Sequence, residues 1–286
     1  MDSPTVNPFW GPQTSYLNFC EEVKHPICDD IEDYIITRFI AEFINTCSSF
    51  VYIFFGIYGL LGLRHKNKAG MRWISYYGLI GVGACSGGYH MTLKYHTQMS
   101  DELSMHLLTT PLLFRVLTYK ATPQHTKIVG SILLTMFTIV MVTHMVMDEF
   151  LLHAVTFGLA ALLITTRTTS LISHEIPDPT IKKKFRIIAN VGLFSFIFGY
   201  LIWLVDGYAC GSLTDIKHMV GLPLGFLFEF HGWWHFFTGI GGYAAVSIVD
   251  LITADEVHQD PTSQLAWPLA PAARAADAIF GSKEKV

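Results

Sequence analysis

The chain has 286 residues, of which 51% are hydrophobic and only 15% are charged, and its formal net charge is −4. Because about a quarter of the residues in an ordinary soluble domain are charged, this composition indicates a membrane protein. Lys and Arg are scattered through the connecting segments and do not form a basic face, which excludes nucleic-acid binding. Residues 1–22 contain no apolar core of a cleavable signal peptide, so we expect the first membrane helix to direct insertion.

Seven apolar stretches are each long enough to cross the hydrocarbon core of a bilayer, and they predict an all-α, seven-transmembrane helix bundle. We divide the chain into an N-terminal segment (1–38), a membrane domain (39–250) and a tail (251–286), whose Pro/Ala-rich composition predicts a largely disordered extension. The turn between the fourth and fifth helices holds only Asp148 and Glu149. The predicted helices are Phe39–Leu63, Trp73–Met91, Leu103–Tyr119, Ile128–Met147, Phe150–Thr166, Ile187–Val205 and Leu224–Val249.

The distribution of Lys and Arg predicts the orientation of the bundle. These residues concentrate after the first, third, fifth and seventh helices, and cationic loops lie on the cytosolic side of a membrane. We therefore expect a luminal N-terminus and a cytosolic C-terminus. With seven spans, the end of the second helix and the starts of the third and seventh helices then meet on the luminal face.

Two histidines, His231 and His235, lie in the motif Phe230-His231-Gly232-Trp233-Trp234-His235 within the last apolar stretch. Residues four positions apart on a helix have Cβ atoms about 5–6 Å apart on one face, a spacing that suits a single metal ion. An ionisable side chain within an apolar membrane segment is energetically costly, so its presence there indicates a functional role. The alternative is a pair of interfacial histidines that donate to backbone carbonyls.

Ser86, His90 and Asp101 are expected on the same luminal face as His231. A set of three histidines, His90, His231 and His235, matches the catalytic zinc pattern of three protein ligands and one open position. Asp101, at the predicted start of the third helix, is a candidate general base. Its alternative role is a charge that satisfies the free amides at a helix N-terminus.

Three further histidines, His106, His144 and His153, are interpreted as hydrogen-bonded residues at the membrane interface. The N-terminal segment also offers hard oxygen ligands of the kind that calcium prefers, although a solvated acidic surface has the same composition. These candidate calcium ligands are Asn18, Glu21, Asp33 and Glu42.

Several motifs follow one another along about residues 7–250. They are Trp10-Gly11-Pro12, Asn18-Phe19-Cys20-Glu21-Glu22, Ile40-Ala41-Glu42-Phe43-Ile44-Asn45-Thr46, His90-Met91-Thr92-Leu93-Lys94-Tyr95 with Asp101-Glu102-Leu103, and Phe230-His231-Gly232-Trp233-Trp234-His235. Taken in this order, the motifs resemble those of the alkaline ceramidases. The resemblance implies a seven-helix membrane bundle with an intramembrane zinc site and a neighbouring calcium site. It also implies a hydrolase that cleaves the ceramide amide to a sphingoid base and a fatty acid.

The resemblance assigns roles to the candidate residues. It implies that His90, His231 and His235 bind zinc, that Ser86 donates a hydrogen bond on the oxyanion side, and that Asp101 activates the attacking water. It further implies an endoplasmic reticulum or Golgi membrane and a ceramide-type lipid substrate. No protein partner is inferred.

The resemblance also implies a luminal disulfide between Cys20 and Cys210. Two departures affect the calcium site: this chain carries an insert, Val23–Glu32, and Asn18 stands where the family usually has Asp. The implied calcium ligands are Asn18, the backbone carbonyl of Phe19, Glu21, Asp33 and Glu42.

Two other classes of function are alternatives to a ceramidase. A receptor of the adiponectin-receptor type is a similar seven-helix zinc protein, but the Thr-Leu-Lys-Tyr and Trp-Trp motifs favour a ceramidase. The second alternative is a transporter or haem protein in which the histidines are axial ligands. Such a protein would show a visible absorption band.

Overall fold

The computed structural model describes residues 9–23, 36–64, 70–147 and 150–280, with side chains described as far as residue 275. Over these residues the protein is all-helical, as predicted, and contains nine α-helices. Two 3₁₀ turns, Leu224–Phe228 and Pro261–Gln264, accompany them. The helices are α1 (Phe43–Leu63), α2 (Arg72–Thr92), α3 (Tyr95–Thr118), α4 (Pro123–Met147), α5 (Phe150–Glu175), α6 (Pro179–Tyr208), α7 (Cys210–Val220), α8 (Phe230–Thr253) and α9 (Leu269–Phe280).

Each predicted helix overlaps one of the seven long helices, α1–α6 and α8, but several boundaries differ. The third helix begins at Tyr95 and not at Leu103, and the sixth begins at Pro179 and not at Ile187. Hydropathy marks only the apolar part of a helix, whereas backbone hydrogen bonding continues through polar turns. At α6 the Asp178 carboxylate accepts hydrogen bonds from the first free amides, and Pro179 occupies the first turn. The turn at Asp148 and Glu149 lies outside the described residues.

Five helices, α1, α4, α5, α6 and α8, are long and apolar enough to cross a membrane, so the protein is an integral, multi-pass membrane protein. Burial differs sharply among them. In the most apolar window of α8, 72% of the residues are buried, against 11% in α4 and in α5. Helix α8, which carries His231 and His235, is therefore the central helix of the bundle.

Small residues let α6 pack closely on this central helix. A Cβ atom at Gly192 of α6 would lie only 2.5 Å from the Cβ of Ala244 on α8. Glycine at this position thus permits the close helix contact that is common in membrane bundles. The contact fixes α8 against α6 along the part of the helix that follows the histidines.

At the end of the bundle away from these histidines, a buried carboxylate holds two arginines. Asp250 near the end of α8 accepts hydrogen bonds from Arg72 Nε and Nη2, both at 2.8 Å, and from Arg115 Nη2 at 3.1 Å. Asp250 is 2% exposed. The ion pairs tie the start of α2 and the end of α3 to the central helix.

We expect Asp250→Ala to destabilise the protein by about 3–5 kcal/mol, because it leaves two buried guanidinium groups without their shared partner. Thermal unfolding in detergent micelles measures this effect. The control is Lys120→Ala, which removes an exposed ion pair with Glu175 and is expected to change stability far less. Equal unfolding temperatures for the Asp250 and Lys120 variants would contradict the structural role of Asp250.

The prediction of a largely disordered tail is wrong for the part that the structure describes. Residues after α8 form a 3₁₀ turn and helix α9, and Leu265, Leu269 and Ala273 are buried in the main hydrophobic core. The Ala266 amide also donates a 3.0 Å hydrogen bond to the Tyr243 hydroxyl. Composition suggested disorder, but alanine is a strong helix former, and a few apolar residues per turn suffice to dock a short helix.

Candidate metal centre and active site

Three buried histidines from two helices converge at one end of the central helix. His90 lies near the end of α2, and His231 and His235 lie in the first turns of α8. One ligand nitrogen from each lies within 4.8 Å of the others, and the three rings are 4.6–5.0 Å apart between centroids. Their exposed fractions are 0%, 4% and 3%. The structure therefore brings together the three residues that the sequence singled out.

The unpaired nitrogens of this triad point to a metal ion. His90 Nε2 and His231 Nδ1 are buried and have no hydrogen-bond partner among the described residues. A buried polar atom without a partner costs about 1–3 kcal/mol, so an ion that pairs with both nitrogens would stabilise the protein. Three neutral imidazoles are the donor set of many catalytic zinc sites. The residues present thus fit a zinc ion.

Neighbouring side chains orient the histidine rings. Glu42 Oε2 lies 2.5 Å from His90 Nδ1, an arrangement that holds the proton on Nδ1 and leaves the lone pair of Nε2 for a metal. Ser48 Oγ lies 2.8 Å from His235 Nδ1. The Phe19 ring stacks on the His231 ring at 3.7 Å between centroids. The sequence indicated neither Ser48 nor this role of Glu42.

Asp206 is a further residue that the sequence analysis missed. Its carboxylate accepts hydrogen bonds from the backbone amides of Cys20, at 3.0 Å, and of His231, at 3.1 Å. It thereby joins the N-terminal segment to the start of α8. A single carboxylate in the last turns of an apolar helix is itself a signal of a functional or structural site.

The disulfide predicted between Cys20 and Cys210 is confirmed. The two Cα atoms lie 5.2 Å apart, within the range of ordinary disulfides. The bond attaches the N-terminal segment to α7, a short helix that was not predicted. Phe19, next to Cys20, is thereby held over His231.

Ser86 and Asp101 lie beside the triad. Ser86 is 2% exposed, and its Oγ is 3.3 Å from His235 Nε2 and 3.0 Å from Ser49 Oγ. The half-buried Asp101 carboxylate lies next to the Ser86 side chain. Because α3 begins at Tyr95, Asp101 does not open the helix, and it lies beyond the first free amides. The alternative role of a helix N-terminal charge is therefore wrong.

A cavity of about 580 Å³ leads away from the histidines between α3, α5, α6 and α8. Ser86, Asp101, His231 and His235 line one part of it, and most of the remaining wall is apolar. The lining continues along α8 to Ile248, about 20 Å from His235 at 1.5 Å per helical residue. The cavity is thus long and mostly apolar, as expected of a lipid site.

The predicted calcium ligands are already engaged where the structure describes them. Both Glu21 carboxylate oxygens accept hydrogen bonds from the first amides of α1, Ile44 and Asn45, at 2.7 and 2.8 Å. Burial, together with the neighbouring charge of Glu42, raises the pKa of Glu21 to about 7. Glu42 contacts His90, and Asp33 lies outside the described residues.

The remaining two candidates lie in the same N-terminal segment. Asn18 Oδ1 accepts a 2.7 Å hydrogen bond from Gln13 Nε2, and the Phe19 side chain packs on His231. Of the described candidates, Glu21 therefore positions the start of α1, and Glu42 and Phe19 position the histidines.

We expect Glu42→Gln to lower the affinity for zinc about 10- to 100-fold, as is typical when a carboxylate that orients a metal-binding histidine is replaced. Competition with a chromophoric chelator measures the dissociation constant. Glu256→Gln, which changes a partner of Arg72 at the other end of the bundle, is the control and should bind zinc normally. Unchanged affinity in the Glu42 variant would show that this contact does not prepare His90 for a metal.

Comparison with known proteins agrees with the geometry of the site. The profile of the Ceramidase family matches residues 11–274. Alkaline ceramidase YPC1 of Saccharomyces cerevisiae is 29% identical over 274 residues, which cover 90% of this chain and 83% of the relative. Alkaline ceramidase 3 of Mus musculus is 31% identical over 240 residues, which cover 82% of each chain. The adiponectin-receptor alternative is not favoured, and this chain belongs to the ceramidase family.

Proposed function

We propose that this protein hydrolyses the amide bond of ceramide to a sphingoid base and a free fatty acid, with zinc bound by His90, His231 and His235. The observation that carries the proposal is the histidine triad, with two unpaired buried nitrogens, at the head of a long apolar cavity. The names of its relatives, alkaline ceramidases from yeast and mouse, support the substrate and reaction.

The substrate amide lies at the triad, and an alkyl chain of the lipid occupies the apolar cavity. A zinc ion held by His90, His231 and His235 would supply Lewis acidity, which would acidify water and polarise the amide carbonyl. Phe19 and the apolar wall exclude bulk water from the reacting atoms, which strengthens the electrostatic interactions there. Ser86 directs its hydroxyl toward the oxygen that gains negative charge in the tetrahedral transition state.

Asp101 moves the proton that the reaction requires. Its carboxylate accepts a proton from the water whose oxygen bonds to the amide carbon, and it then delivers this proton to the nitrogen as the C–N bond breaks. The products are a free amine and a carboxylic acid, so the atoms balance with one water consumed. The contact of Asp101 with Ser86 supports this placement of the carboxylate beside the reacting centre.

We place the protein across the membrane of the endoplasmic reticulum or Golgi, with seven spans, a luminal N-terminus and a cytosolic C-terminus. Helices α2 and α3 complete the seven because both are long and pack within the bundle. One of the cations that predict the orientation supports it: Arg72 contacts Asp250 at the end of α8 away from the histidines, and a cytosolic Arg72 puts the triad toward the lumen.

Calcium remains a prediction about the N-terminal segment. An ion there would contact Glu21 and Glu42, together with Asn18, the Phe19 carbonyl and Asp33. Its binding would have to tolerate the hydrogen bonds that Glu21 and Glu42 already make to α1 and His90. A structural role for the ion, in which it stabilises the loop beside the triad, is consistent with these contacts.

A lipid-panel assay tests the proposed function. Purified protein in detergent is incubated with ceramide, dihydroceramide and phytoceramide, and the released base and fatty acid are quantified by mass spectrometry. We expect equimolar release of both products. A protein that binds these lipids and releases no base would contradict the hydrolase and favour a receptor.

A further inference from the structure

Lys217 on α7 is a buried cation that joins the N-terminal segment to the start of α8. The residue is only 6% exposed. Its Nζ atom donates hydrogen bonds to the Cys20 carbonyl oxygen at 2.7 Å and to the two Glu229 carboxylate oxygens at 3.1 and 3.2 Å. An ammonium group has three N–H donors, and these three oxygens account for all of them. The Lys217 side chain is therefore fixed by its contacts on both sides.

The charge of Lys217 is compensated by Glu229, which directly precedes α8 and is 8% exposed. A buried ammonium requires such a partner. A buried ion pair nevertheless gains little stability over apolar residues of the same size, because both charges lose their hydration. The pair is therefore weak evidence for a role in stability alone, and the third contact, to the Cys20 carbonyl, gives Lys217 a more specific role.

The backbone of Cys20 is held by side chains on both of its polar groups. Asp206 accepts a hydrogen bond from the Cys20 amide at 3.0 Å, and Lys217 donates one to the Cys20 carbonyl. Asp206 also accepts a hydrogen bond from the His231 amide at 3.1 Å. Two side chains thus fix Cys20 relative to the first turn of α8, in addition to the disulfide.

His231 differs from the other two histidines of the triad in how its ring is held. The rings of His90 and His235 each contact an oxygen atom of a neighbouring side chain. His231 Nδ1 has no hydrogen-bond partner among the described residues, and its ring instead stacks on the Phe19 ring at 3.7 Å between centroids. Phe19 directly precedes Cys20 in the chain, so the position of the Cys20 backbone determines where the Phe19 ring lies.

We propose that Lys217 is a positioning residue of the metal centre: it fixes the Cys20 carbonyl and thereby holds Phe19 against His231, which fixes the ring of this ligand. The inference rests on the proposed function, because it takes the triad as the zinc site. Lys217 does not line the lipid cavity. Its removal should therefore weaken metal binding and leave the KM for the lipid near the wild-type value.

The test compares the wild-type protein with the double variant Lys217→Met/Glu229→Leu. This variant removes both charges together, so neither is left buried without its partner, and it loses the hydrogen bond to the Cys20 carbonyl. Zinc affinity is measured by competition with a chromophoric chelator. The coordination geometry is followed by the visible absorption spectrum of protein that is loaded with cobalt(II) in place of zinc.

We expect the zinc dissociation constant of the double variant to rise about tenfold, which is typical when a group that orients a metal ligand is lost. The cobalt spectrum should change, and kcat should fall while KM stays near the wild-type value. Lys217→Arg keeps the charge and a donor at this position, and it should restore most of the zinc affinity. A folded double variant with wild-type zinc affinity and a wild-type cobalt spectrum would overturn the inference.

Phe19→Leu tests the route through which Lys217 acts. This variant removes the ring that stacks on His231 and should change the zinc affinity and the cobalt spectrum as the double variant does. If Lys217 acts through Phe19, addition of Phe19→Leu to the double variant should cause little further loss, because effects along one chain of contacts are not additive. Fully additive effects on zinc affinity would contradict this route.

The control is Lys184→Met. Lys184 is 7% exposed and contacts Asp260 at 2.6 Å, near the opposite end of α6 from Asp206. Loss of this buried ammonium should leave the zinc affinity unchanged, and an equal loss in this variant would overturn the inference by assigning the effect to general destabilisation. A wild-type protein that binds the metal but releases no sphingoid base would instead contradict the proposed function.

Discussion

His231→Ala is expected to abolish zinc binding and to lower ceramide hydrolysis at least about 10³-fold. The variant removes one of three ligands and leaves two imidazoles, a donor set too small for a stable catalytic zinc site. Metal-ion catalysis supplies several kcal/mol of transition-state stabilisation, and each 1.36 kcal/mol corresponds to about a tenfold change in rate. Metal content by mass spectrometry and the release of sphingoid base are measured on the same preparation.

The control for this variant is His174→Ala. His174 lies near the end of α5, is exposed, and contacts the backbone carbonyl of Ser170. It should keep full zinc content and activity. If His231→Ala retained both its zinc and its hydrolysis, the triad would not be the metal centre.

Asp101→Asn is expected to lower kcat about 10²- to 10⁴-fold while zinc content stays at the wild-type level. Asparagine has the shape of aspartate and keeps a polar contact with Ser86, but it accepts no proton from the attacking water. Steady-state kinetics should therefore show a loss in kcat with little change in KM, because lipid binding depends on the apolar cavity. Loss of zinc in this variant would indicate a structural role for Asp101.

Asp215→Asn is the matched control for this substitution. Asp215 lies on α7 with an exposed side chain, outside the cavity. The same chemical change at this position should leave kcat unchanged. Wild-type kcat in the Asp101 variant would remove the proton-transfer role that we propose for its carboxylate.

The sequence was sufficient to predict the helical membrane fold and the histidine triad. Apolar length identifies membrane helices because a bilayer demands a minimum span, and the spacing of His231 and His235 fixes them on one face. The prediction that His90 lies near His231 and His235 followed from counting the membrane spans. Four helices separate the end of the second from the start of the seventh, so both ends are expected on the same face of the membrane. These inferences depend on simple periodicities, which the sequence carries directly.

The sequence did not predict which residues orient the histidines of the triad. Glu42 was predicted to bind calcium, but in the fold it lies against His90, and Asp206 links Cys20 to His231 across 186 and 25 residues of chain, respectively. Such contacts depend on how helices rotate and pack, which a hydrophobic pattern does not specify.

The sequence also did not predict the contacts among His106, His144 and His153 or the folding of the tail. The interpretation of these histidines as residues at the membrane interface is wrong, because they are buried and face one another inside the protein. Single histidines on separate helices give no sign that they face one another, and His106, His144 and His153 meet only because α3, α4 and α5 pack together. The composition of the tail likewise predicted disorder. The tail is ordered because Leu265 and Leu269 pack in the main hydrophobic core, and a composition does not reveal the surface on which they pack. Tertiary packing decided both outcomes.

The most direct test of the account is reconstitution of hydrolysis with zinc. The wild-type protein is purified in detergent, stripped with a chelator, and assayed for sphingoid base release before and after addition of zinc. We predict that activity disappears with the metal and returns when about one zinc ion per chain has bound. Full hydrolysis by a protein that contains no metal would contradict the zinc-dependent mechanism.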